Sequence, residues 1–137
     1  MKKLQSARDH LTAALGVSGE NLLTFAEKGK VTSFQGADHQ NKDFQVSYTA
    51  HLVLTDFAAD PLTVFFVMVE WLARECPAAP ADALRFHVDV IDSTKVDVSL
   101  LVELTETVTV RPSPAGTWIG ADTDADVLKT PLFPLAI

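Results

Sequence analysis

The sequence predicts a single α+β domain: an N-terminal helical pair, an antiparallel or mixed sheet, and one long apolar helix packed across that sheet. Three observations carry this expectation. Apolar and polar residues alternate from Phe44 to Thr55, apolar residues recur at helical spacing from Pro61 to Cys76, and two more strand-like runs flank a short polar turn at Asp92 to Lys95. A chain of 137 residues, 47% of them hydrophobic, fills one core and is too short for two comfortable ones.

Leu4, Ala7, Leu11, Ala14 and Leu15 are spaced for one face of a helix with about 3.6 residues per turn. Gly16 follows, able to take the left-handed conformation that ends helices. A second short helix is expected from Glu20 to Lys28, packing Leu22, Leu23, Phe25 and Ala26 and stopped by Gly29. Val31 to Gly36 carries a thin strand signal, and Asp38 to Asp43 reads as a polar turn. From Phe44 the period becomes two: Phe44, Val46, Tyr48, Ala50, Leu52 and Leu54 share one face of a strand whose other face is largely polar.

Asp60 stands where its side chain can cap a helix, and Pro61 occupies the first turn, where a missing N–H costs nothing. Two apolar stripes follow. Leu62, Phe65, Phe66, Val69, Leu72 and Ala73 form the first; Val64, Val67, Met68 and Trp71 form the second, leaving Thr63, Glu70 and Arg74 as a narrow wet strip. A helix apolar nearly all round is buried on more than one side. The first stripe is assigned to the sheet and the second to a subunit interface, with the N-terminal helices as the competing cover. Cys76 and Pro77 close the helix, since proline removes a donor and biases its predecessor away from helix.

Arg85 to Ile91 and Val96 to Val110 are expected to form a hairpin around Asp92 to Lys95, a turn whose Asp and Ser side chains can bond nearby amides. Val96, Val98, Leu100, Val102 and Leu104 would line its inner face. After Arg111 the texture turns to Gly, Asp, Thr and Pro, with apolar residues too widely spaced for a core of their own. The expected division is therefore a domain over residues 1–110 and a C-terminal arm over 111–137.

The net charge of −7 argues against a phosphate-gripping surface, which needs Lys and Arg. The charge is uneven. Lys2, Lys3, Arg8, Lys28, Lys30 and Lys42 crowd the first third, whereas Asp43 to Glu106 holds eleven acids against Arg74, Arg85 and Lys95. Such a division allows opposed surfaces to meet head to tail between subunits, or merely to solubilise two faces. The lone cysteine, Cys76, excludes an intrachain disulfide, reads as an apolar filler and fits an intracellular protein. The N-terminus is charged where an export signal would be apolar. The longest apolar run, Val64 to Val69, falls far short of the roughly 20 residues that span a bilayer.

Chemistry-bearing patterns are sparse. His10, His39, His51 and His87 lie too far apart to share a metal by sequence spacing. His87 and Asp89 would share one side of a strand, as residues of a solvated face also do. Asp122, Asp124 and Asp126 imitate the start of a calcium loop but lack its central Gly and terminal Glu. Glu70 and Arg74 are placed to pair along the helix. No phosphate loop, nucleophile elbow or activated thiol is present, so no catalytic, cofactor-binding or metal-ligating residue is assigned and no cofactor is expected.

The stretch from Leu52 through Thr55-Asp56-Phe57 to Asp60, the apolar helix with Trp71-Leu72 ending at Cys76-Pro77, then Phe86 to Asp89 and Asp97 to Leu100 leading to Leu104-Thr105-Glu106, resembles the phage tail completion protein R family. The likeness covers Lys2 to Val110. It implies a tail-terminator-like α+β subunit of contractile-tailed phages or prophages that forms a ring, typically a hexamer, closing the head-proximal end of the tail tube before head joining. It implies no catalytic residues. The implied partners are copies of itself, tail tube and sheath proteins and head-tail connector proteins, with DNA only passing through and no membrane. The implied location is the host cytoplasm during assembly and then the virion tail. Another ring component of the head-tail junction would share these physical features. A small dimeric intracellular enzyme or ligand-binding domain would need convergent polar groups that the sequence does not display.

Overall fold

The computed structural model describes residues 1–34, 42–113, 116–122 and 130–135. In chain order these form α1 (Lys2–Leu15), a 3₁₀ turn (Gly19–Asn21), β1 (Leu22–Ser33), β2 (Phe44–Phe57), α2 (Pro61–Glu75), β3 (Leu84–Val90), β4 (Val96–Ser113), β5 (Gly116–Asp122) and β6 (Thr130–Leu135). The turn expected at Asp38 to Asp43 lies mostly outside the described residues, as do His39, Asp124 and Asp126.

β4 is the spine of the sheet. β2 pairs along one side of it, from Phe44↔Val108 to Phe57↔Val96. β3 pairs with the β4 segment 96–102, and β5 with the segment 107–113. Thr107 and Val108 partner β2 and β5 at once, so β5 must lie on the side of β4 opposite β2, the side that β3 shares. β1 extends the sheet beyond β2 and β6 beyond β5, every described pairing being antiparallel.

One buried cluster joins both helices to this sheet. Leu4, Ala7 and Leu11 of α1 meet Val64, Val67, Met68 and Trp71 of α2 over Tyr48, Ala50, Leu52 and Leu54 of β2 and Val98 to Leu104 of β4. Period two puts the even-numbered residues of β2 and β4 on the helix side, as the alternation from Phe44 requires. Each Leu or Met so enclosed contributes roughly 1.5–3 kcal/mol relative to an exposed one.

Two expectations are corrected. Glu20 to Lys28 is not a helix, and there is no N-terminal helical pair: after the 3₁₀ turn the chain runs as β1. Leu22, Thr24 and Ala26 lie opposite Leu54, Leu52 and Ala50, so a ladder to a distant strand overrides local helix-forming character. Lys28, at φ 54°, marks a bulge between Glu27 and Lys30, and Gly29 belongs to that bulge instead of ending a helix.

Nor does a single long apolar helix lie across the sheet. The 15-residue α2 packs beside α1, and Trp71 Nε1 donates to Ser6 Oγ at 3.0 Å between them. The segment expected as an arm after Arg111 includes the end of β4 and the strands β5 and β6.

Candidate assembly surface

α2 is terminated at both ends by the residues that predicted it. Asp60 Oδ1 accepts the Leu62 N–H at 3.0 Å with Pro61 in the first turn, and Cys76 N–H closes on Leu72 O at 2.8 Å. Burial divides its two stripes differently from the expectation. Val64, Met68 and Trp71 are fully buried and Val67 nearly so, all within the subunit's own core. The reason is that α1 and the sheet together cover that side. Leu62, Phe66 and Val69, at helical spacings of four and three, instead face outward at 67%, 63% and 55% exposure. The four residues expected at a subunit interface are therefore buried in the subunit's own core, and Leu62, Phe66, Val69 and Ala73 of the stripe assigned to the sheet are exposed.

That surface continues onto β3. Phe65 rests on Phe86 with ring centroids 4.4 Å apart, while Phe86, Val90 and Ile91 remain exposed. Among the described residues β3 pairs only with β4, so its other edge presents free backbone groups. Acids cluster at its far end. His87 Nε2 and Asp89 Oδ1 lie 2.9 Å apart on the sheet's outer face, both well exposed. Asp92 accepts the amides of Thr94 and Lys95 and the Thr94 hydroxyl at 2.7–2.9 Å, and these bonds, Thr94 first, hold its carboxyl below the usual range.

The opposite edge, β1, has another character. Leu23 and Val31 are exposed, and Phe25 stacks on His51 with centroids 4.5 Å apart. His51 Nε2 lies 2.7 Å from Glu27 Oε1. Lys28 and Lys30 project from this edge into solvent. Arg8 and Lys3 are drawn into the fold: Arg8 Nη1 donates to Leu22 O at 2.6 Å, and the Lys3 ammonium to Thr105 O at 2.7 Å.

Lys3 belongs to a buried polar cluster that the sequence reading missed. The Tyr48 hydroxyl donates to Glu106 Oε2, while Glu106 Oε1 accepts the Lys2 backbone N–H at 2.8 Å. Tyr48, Lys3 and Glu106 are all at most 3% exposed. Met1 makes no side-chain cap, so Glu106 supplies the anion at the α1 N-terminus from β4. Burial, then the Glu106 hydrogen bond and charge, push the Tyr48 hydroxyl far above its ordinary range. Through Glu106 this cluster ties the first turn of α1 to the sheet. Only the β2–β4 register brings its members together; an isolated Tyr and Glu 58 residues apart carry no local signal.

The remaining candidates separate. His10, His51 and His87 lie on different elements, and the described residues contain no group of three His, Cys, Asp or Glu side chains able to hold a metal. Arg74 Nε pairs with Glu75 Oε1 at 3.1 Å in place of the expected Glu70. Cys76 is buried. No described helix is long and apolar enough to cross a membrane.

Comparison with known families matches residues 1–127 to the model described as P2 phage tail completion protein R (GpR). No individual curated protein and no solved structure matches the chain.

Proposed function

The chain belongs to the P2 phage tail completion protein R family, structural proteins of phage tail assembly, and from this premise we propose that it forms a ring capping the head-proximal end of the tail tube and prepares that end for head joining. The observation that supports the reading is that, among the described residues, β3 and β1 each pair on one side alone and differ in charge: β3 carries exposed apolar side chains with Asp89 beside the open stripe of α2, and β1 carries exposed apolar side chains with Lys28 and Lys30. A ring is built from heterologous contacts, which need two different lateral surfaces on each subunit.

In this reading the protein acts mechanically and not as an enzyme. Its partners are its own copies, the last tube and sheath ring, and the head connector. The outer face of the sheet, with Glu27, Asp97 and Glu103, turns toward the channel, where negative charge keeps passing DNA from adhering. The test is depletion and add-back. Cells lacking the chain should accumulate tails that do not join heads, and purified chain should restore joining and appear as a ring at the head-proximal tip by electron microscopy. Joined particles at normal yield without the chain would remove the proposal.

A further inference from the structure

Level with the β4 segment 96–102, the sheet has the order β1-β2-β4-β3, with neighbouring strands in opposite directions. Its two edge strands therefore also run oppositely. A second copy set alongside in the same orientation brings its β1 antiparallel to β3, and the alternation crosses the junction unbroken. Cyclic symmetry requires this same-sense relation between copies.

We propose that β1 of a second copy adds to the β3 edge, head to tail, in the register that sets Val31 opposite Phe86, Lys30 opposite His87 and Ser33 opposite Leu84. The inference rests on the ring reading above and specifies its lateral contact.

Four features select this register. Directly opposed residues share a face of a sheet, and here the faces agree: Val31 lies opposite Val46 and Phe86 opposite Leu100, both on the helix side. Val31 and Phe86, 67% and 58% exposed in the single subunit, would shield one another. Lys30 takes a position diagonal to Asp89 on the outer face, within reach of a long side chain, with Lys28 nearby. Finally, the register is staggered. Within a subunit Ser33 is level with Phe44, whereas Leu84 is level, through Val102, with Ala50, six residues along β2. A sheet closed into a ring needs such an offset, and the offset takes the incoming strand clear of β5 and β6, which occupy that side of β4 from Thr107 onward.

Paired cysteines test the register. Inside one subunit β1 and β3 are separated by three inter-strand steps of about 4.8 Å, beyond the reach of a disulfide. Val31→Cys combined with Phe86→Cys should give, on oxidation of tails carrying this variant as their sole source of the chain, a covalent ladder extending beyond dimers. Either substitution alone should give none. Independently, Lys30→Asp and Asp89→Lys should each lower incorporation into tails, with the double exchange restoring it while circular dichroism of all three stays native. Rings at the tail tip without the ladder, dimers from Phe86→Cys alone, or no rescue by the exchange would overturn this contact and leave the tail reading standing. Absence of the unmodified chain from purified tails would remove both.

Discussion

The Tyr48 hydroxyl reaches the Glu106 carboxylate diagonally across β2 and β4, because the register sets Tyr48 against Leu104 and Val46 against Glu106. The other oxygen of that carboxylate holds the Lys2 N–H at 2.8 Å. One side chain thus couples the sheet to the first turn of α1.

Removing the donor from this couple leaves a buried carboxylate short of a partner. Tyr48→Phe is expected to destabilise the fold by about 1–3 kcal/mol. Glu106→Ala should cost more, since it strands both the hydroxyl and the helix N-terminus. Urea unfolding of the two single variants and the double should show clear non-additivity, and additive losses would disprove the coupling.

Alkaline pH acts on the same hydroxyl. Its folded pKa is raised above the ordinary value of 10.0, so the neutral form is favoured in the fold. Its contribution is complete below that value and is lost as pH rises above it, because the unfolded chain then releases a proton that the folded chain retains. Urea midpoints should fall more steeply with pH in this range for the native chain than for Tyr48→Phe. Parallel curves would refute the assignment.

The two stripes of α2 predict opposite phenotypes. Met68→Ala should cost about 2–5 kcal/mol through the cavity it leaves, and Met68→Asp should prevent folding. Phe66→Asp should leave a native circular dichroism spectrum and thermal midpoint while reducing assembly on tails. Full assembly by Phe66→Asp would clear that face of any role in contacts.

At the start of α2, Asp60→Ala is expected to cost about 1 kcal/mol by releasing the Leu62 amide, with Asp60→Asn or Asp60→Ser retaining most of the stability. Thermal melts of the three variants check the order.

Sequence alone determined the elements whose signals are local. The alternation from Phe44 to Leu54 made β2, Asp60 and Pro61 placed the start of α2, Gly16 in its left-handed conformation ended α1, and the Asp92 turn joined β3 to β4. The ordered residues from Thr55-Asp56-Phe57 to Leu104-Thr105-Glu106 also carried the family resemblance that the match over residues 1–127 establishes. Tertiary structure decided what depends on partners distant in the chain. Leu22 to Glu27 is a strand because β2 offers a ladder, although its composition also suits a helix. The stripes of α2 are similarly apolar, so hydropathy could not rank them; α1 and the sheet, by covering Val64, Val67, Met68 and Trp71, made that face the core and left Leu62, Phe66 and Val69 exposed.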